Sequence, residues 1–262
     1  MATLKRPDGT ELYYQLVGDR SGKPALVLIH GWCSNHELWV HQVKYFGKKH
    51  PILLLDRRGH GRSTTSGSGH NAATHAADTA AVTTAAGLKS VVAIGHAGGG
   101  AATLQFIREN PKLVKAGVLI DTSLGTLPRF GDSGSPFGNA IAQMIEALRG
   151  PESKTALREI YSRYFNSKGD RKANARAVAD AAKTPDAVKI AELEGLIVDT
   201  AAIADHMAQP ILWVTAGKAD QSFIRSHLKN VGFGQIYGAN HFPHFEQPEQ
   251  ANAMIETFLS RI

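Results

Sequence analysis

One cysteine, Cys33, stands in 262 residues, which excludes an internal disulfide and any cysteine-based zinc cage. No run approaches the roughly 18 apolar residues of a membrane span. The opening stretch MATLKRPDGTELYY sets charges where a secretory leader needs an apolar segment. The expectation is a soluble protein of a reducing, cytoplasmic compartment. Long low-complexity tracts are also missing. With 43% hydrophobic and 20% charged residues, the chain can bury one large core, or a core with a subdomain. Lys and Arg number 29 against 23 Asp and Glu, a net +6, but the excess is not gathered. It comes singly or in pairs, as in KK at 48–49, RR at 57–58 and RK at 171–172. A nucleic-acid surface needs a clustered basic stripe with stacking aromatics. Neither is visible, so the charge reads as a solvated surface with no nucleic-acid or membrane partner.

What is there alternates. ELYYQLVG (11–18) reads as an edge strand and ALVLIH (25–30) as a buried one; ILLLD (52–56) follows after a helix-length stretch around NHELWVHQVKYF. An alanine-rich helix over 71–86 ends at Gly87, VVAIG (91–95) is a strand, a helix runs to about Asn110, and AGVLID (116–121) is another strand. PILWVTAG (210–217) resumes the pattern, followed by a helix near 221–229, a short strand GQIYG and a closing amphipathic helix from Pro248. Continuous apolar strands alternating with helices predict an α/β fold, a mostly parallel sheet covered on both faces. The stretch between 124 and 206 is too long for a plain connection. It opens with GTLPRFGDSGSPFG and continues with helical spacing in IAQMIEALRG and ALREIYSRYF. The expected organisation is a core of 1–123 and 206–262 with a helical cap of 124–205.

Ligands of an open parallel sheet bind at the carboxyl ends of its strands. Those ends carry His30-Gly31-Trp32, Asp56, His96-Ala97-Gly98, Asp121, GKAD with Asp220, and GANHFPHFEQP with His241. GHAGGG at 95–100, between a strand and a helix, has the setting of the nucleophile elbow G-x-S-x-G. With HGW, DRRGHGRS, AGKAD and GANHFPHFEQP in the same order, the chain resembles the α/β-hydrolase superfamily with an inserted cap, over residues 10–121 and 206–262.

The resemblance implies a carboxylic ester or lactone hydrolase with a Ser-His-Asp site and no cofactor, acting on a small acyl substrate as a monomer or homodimer. It makes His241 the base, Asp220 its acid with Asp121 as alternative, and the Trp32 and Gly98 amides the oxyanion hole. The nucleophile position, however, holds Ala97. Three explanations compete: a hydrolase inactivated by replacement of its serine, a ligand-binding member of the fold, and cofactor-free dioxygenase or lyase chemistry by the histidine–acid pair. GWCSNH (31–36) is similar to a stretch of the cofactor-independent dioxygenases on this fold, whose acid follows the earlier strand as Asp121 does; Gly98 departs from them. Gly31 and His96 are expected at the substrate, with Phe130, Phe137, Met144, Ile145, Leu148, Tyr161, Tyr164 and Phe165 as candidate apolar lining or cap core. Asp220 is open to a second reading, as the cap of the helix beginning at Gln221. Cys33 reads as a small core residue, His244 as a packing or hydrogen-bonding group, and DRRGHGRS as a structural turn at the rim.

Overall fold

A computed structural model describes residues 1–19, 23–125, 136–205 and 207–262, with only the backbone of Pro136 and Phe137. The strands are β1 (Ala2–Lys5), β2 (Glu11–Gly18), β3 (Ala25–Ile29), β4 (Pro51–Leu55), β5 (Val91–His96), β6 (Val114–Ile120), β7 (Ile211–Thr215) and β8 (Val231–Gln235). They form one sheet in the order β1-β2-β4-β3-β5-β6-β7-β8. β2 runs antiparallel to β1 and β4, and the remaining pairs are parallel. β1 has no apolar run and is not foreseen in the sequence. The last strand lies at 231–235, N-terminal of the expected GQIYG.

The helices outside the long connection are α1 (Val40–Phe46), α2 (Ala72–Ala85) and α3 (Gly98–Glu109), with α9 (Gln221–His227), α10 (Pro243–Glu246) and α11 (Pro248–Leu259) towards the end of the chain; α4 to α8 belong to the connection. β3 is buried along its whole length because successive side chains enter different layers. Val27 and Ile29 pack with Ala76 of α2 and Phe106 of α3. Leu26 and Leu28 pack with Phe46 of α1 and Ile255 of α11. Each such side chain contributes roughly 1.5–3 kcal/mol by leaving water. A sheet so covered has its free surface at the strand ends.

Between β6 and β7 stand α4 (Pro136–Arg149), α5 (Ser153–Ser162), α6 (Arg171–Ala181), α7 (Asp186–Gly195) and α8 (Thr200–Ala204). The apolar faces of α4 to α7 form a third cluster around Ile145, Leu148, Leu157 and Phe165, with Trp32 and Phe242, while α8 packs through Ile203 and Ala204 against the core on the α2–α3 side. Among the described residues, no helix is long and apolar enough to cross a membrane.

Candidate active site

The elbow is set by the contacts around its glycines. A Cβ on Gly95 would lie 2.1 Å from Thr103 Oγ1, and one on Gly99 2.5 Å from the Ile29 carbonyl. Only glycines let α3 approach β5 and β3 this closely. Between them Ala97 takes φ 49° and ψ −123°, a conformation that disfavours any side chain. Its amide donates to the Ile120 carbonyl at 3.0 Å. Its own carbonyl accepts from the Gly100 amide and from Thr122 Oγ1, both at 2.8 Å. The strained turn of a nucleophile elbow is thus built in full, and it presents a methyl group.

His241 follows β8 and is anchored through both of its backbone polar groups. Its amide donates to the Tyr164 carbonyl at 3.0 Å, and its carbonyl accepts from His96 Nε2 at 2.6 Å. His241 Nδ1 donates to Asp121 Oδ2 at 2.7 Å, which leaves Nε2 as the nitrogen available to the pocket. Asp121 stands directly after β6 with φ 45°, and its Oδ1 accepts the Ala216 amide from the end of β7 at 3.0 Å. Burial opposes its ionisation, but the His241 hydrogen bond and imidazole charge, with the Ala216 amide, hold its carboxyl below the ordinary range.

This corrects the expected acid. Asp220 is exposed at the start of α9 and accepts the Phe223 amide at 3.0 Å, as a helix cap. The end of β7 serves the site through the Ala216 amide instead. The aspartate bound to His241 is Asp121, the alternative.

A cavity of about 380 Å³ opens at these groups. Of the sequence candidates it is lined by Trp32, His96, Ala97, Gly98, Met144, Tyr161, Tyr164, Asp121 and His241. Leu148, Ile145 and Phe165 are not at it: the first two are buried in the apolar cluster of the connection, and Phe165 stacks on Phe242 with centroids 4.6 Å apart. Phe130 and the Phe137 side chain lie outside the described residues. Gly31 does not line the cavity but lies beneath it, because a Cβ there would meet His96 Nδ1 at 3.0 Å. Leu193 of α7, Leu196 at the end of that helix, Ile141 of α4 and Thr200 of α8 also line the wall, with Ala101, Thr122, Ser123 and Phe242, and were not singled out in the sequence. The helical spacing around Ile141 and Leu193 signals an apolar face without saying which neighbour it meets. Burial drives the Tyr164 hydroxyl up to about 12, so the pocket keeps it as a neutral phenol.

Three further groups are structural. His244 is fully buried against Trp39, ring centroids 4.4 Å apart; desolvation, with the charges of His241 and His41, lowers it to about 3. Burial pushes the Cys33 thiol well up, which removes the thiolate a nucleophile needs. His70, His75 and Glu192 form a buried cluster with metal-ligand atom types. Arg57 bonds both oxygens of the same carboxylate, at 3.2 and 2.9 Å, so its charge is already balanced by a guanidinium.

The profile of the alpha/beta hydrolase family matches residues 26–254. A non-heme chloroperoxidase of Streptomyces lividans is 38% identical over 122 residues, 46% of this chain and 44% of that protein. A 2-heptyl-3-hydroxy-4-quinolone dioxygenase of Rhodococcus erythropolis is 30% identical over 159 residues, 60% of this chain and 57% of that protein. The chain thus spans less than two thirds of either relative. A thermophilic esterase from Thermogutta terrifontis superposes with a TM-score of 0.84 at 20% identity, over 100% of this chain and 99% of its own, a likeness of fold.

Proposed function

The chain belongs to the alpha/beta hydrolase family, and from that premise we propose that it is a base catalyst without a nucleophile. His241, oriented by Asp121, takes a proton from the substrate, and the Trp32 and Gly98 amides receive the oxyanion that results. The observation that carries this reading is the methyl group of Ala97 beside a complete imidazole–carboxylate pair. A methyl group cannot form an acyl-enzyme. Proton abstraction needs only a base within reach of an acidic group and donors for the charge left behind.

The substrate class we propose is a hydroxylated N-heteroaromatic that reacts with dioxygen once deprotonated. Its anion is electron-rich enough to reduce oxygen directly, which makes proton removal the protein's task. The placement of Asp121 after β6, the GWCSNH stretch and the dioxygenase relative support this class. A cavity that sets Trp32, Met144, Leu193 and Leu196 against His241, Tyr161, Tyr164 and Thr200 suits a flat ring with polar substituents, and the helices between 136 and 204 act as its cap. The test is oxygen uptake with 2-heptyl-3-hydroxy-4-quinolone, without added metal and in the presence of a chelator. Uptake by the native chain and its loss in His241→Ala are expected; an inert native chain would refute the assignment.

A second reading, an ester or lactone hydrolase disabled at Ala97, is favoured by the strained elbow, which a base catalyst does not require. It predicts that Ala97→Ser hydrolyses p-nitrophenyl acetate and simple lactones while the native chain ignores the quinolone.

A further inference from the structure

The segment that would carry the first oxyanion donor, Gly31-Trp32, lies in a loop after β3 and is not fixed by the sheet. One fixing point is local, the His30 Nδ1 that donates to the Gly31 carbonyl at 2.9 Å; the others come from elsewhere. Arg57 Nη2 donates to the Gly31 carbonyl at 2.8 Å. The Arg57 amide donates to His30 Nε2 at 2.9 Å. Trp32 Nε1 donates to the Lys189 carbonyl of α7 at 2.9 Å, and the Trp32 carbonyl accepts the Tyr161 hydroxyl of α5 at 3.2 Å. Arg57 is in turn held by Glu192, one turn along α7 from Lys189. Both partners of that pair are almost fully buried, at 2% and 3% exposure. Glu192 also bonds His75 Nε2 of α2. One helix of the connection therefore holds the loop twice, directly at the indole and through Arg57 at the carbonyl of Gly31. The same helix presents Leu193 to the cavity, and Leu196 just past its end also lines it.

We infer that Arg57 and Glu192 are positioning residues that aim the Trp32 amide at the substrate oxygen, so that α7 sets the oxyanion hole as well as the pocket wall. Neither side chain lines the cavity. The Gly31 carbonyl belongs to the same peptide unit as the Trp32 amide, so a guanidinium that fixes the carbonyl fixes the direction of the N–H. A misaimed donor weakens stabilisation of developing negative charge and leaves the base untouched. The inference rests on the oxyanion-hole assignment made above.

The experiment places a thiol at the elbow with Ala97→Cys and compares two reagents on it. Iodoacetamide alkylates by displacement of iodide; the thiol's proton passes to His241, and no oxyanion forms. p-Nitrophenyl acetate acylates through a tetrahedral oxyanion before p-nitrophenolate leaves, and so needs the amides. Both adducts are mapped by mass to position 97, apart from the buried Cys33. Adding Glu192→Gln, which keeps the shape but removes the charge and turns one oxygen of the fork on Arg57 into a donor, is expected to slow acylation about 10- to 100-fold. Alkylation should stay within about twofold. Arg57→Lys, which can reach Glu192 or the Gly31 carbonyl but not both, should give the same split; it serves where the first variant fails to fold. Equal effects on the two reagents, or none on acylation, would overturn the inference. A thiol at 97 that alkylates no faster than free cysteine would instead count against His241 as base, while the ratio still decides the role of Glu192.

Discussion

Two aspartate–histidine pairs of nearly the same geometry stand at the ends of two strands. Asp121 after β6 binds His241 Nδ1 at 2.7 Å, and Asp56 after β4 binds His36 Nδ1 at 2.8 Å. What differs is the other side of each imidazole. His36 Nε2 faces the Gln15 amide nitrogen at 3.3 Å and is occupied as an acceptor. Asp56 is wholly buried and also takes the amides of His36 and Arg62, at 2.8 and 2.9 Å. That pair pins a loop. His241 turns its free nitrogen to a cavity shared with Ala97, Gly98 and Trp32. An oriented imidazole is free to act as a base only where its second nitrogen is open, which is the role proposed for His241.

The comparison is broken most sharply by removing each histidine in turn. His241→Ala should lower kcat for oxygen uptake by about 10³-fold, and Asp121→Asn by about 10²–10⁴-fold through the wrong tautomer. His36→Ala should leave kcat within about threefold on the same oxygen electrode. Comparable losses from the two histidines would erase the distinction.

Acid should expose the buried imidazoles next. Burial, the dominant cause for both, lowers His244 to about 3 and His60 to about 4, against 6.5 when unfolded. The unfolded chain therefore binds more protons below pH 6.5. Stability is complete above that pH and falls as pH drops towards the folded values, by roughly 2 kcal/mol per histidine between 6.5 and 5. Asp121, lowered by His241 and Ala216 against its burial, loses its contribution in the same direction at still lower pH. Urea midpoints measured from pH 8 to 5 check this; a flat profile would contradict the buried neutral state.

Smaller effects separate structure from site. His36→Ala leaves Asp56 buried with one donor fewer and should cost about 1–3 kcal/mol in urea unfolding. Asp220→Ala should cost about 1 kcal/mol as a lost helix cap, with oxygen uptake within about twofold. A large loss of turnover at Asp220 would return it to the site.

The sharp turn at Ala97 and the placement of His241 at the cavity were legible because their signals are local. Glycines around position 97 and a histidine after the last strand lie within a few residues of the feature they build. The acid was not. Asp121 and Asp220 both follow apolar strands, and GKAD before a helix reads equally as a cap. The choice is made by the positive φ of Asp121 and by an amide donated from β7, 95 residues away. Arg57 was hidden for the same reason. DRRGHGRS reads as a turn at the rim, yet Arg57 is buried by a glutamate 135 residues further on. β1 carries four mostly exposed residues whose only signal is their pairing with β2.

The central claim is that His241 removes a proton with no covalent step. It is tested most directly by anaerobic absorbance titration of 2-heptyl-3-hydroxy-4-quinolone with the native chain, at a pH where the free compound is neutral. The account predicts the spectrum of the anion on binding and its disappearance in His241→Ala. A bound quinolone that keeps its neutral spectrum, or an anion that persists without His241, would contradict it.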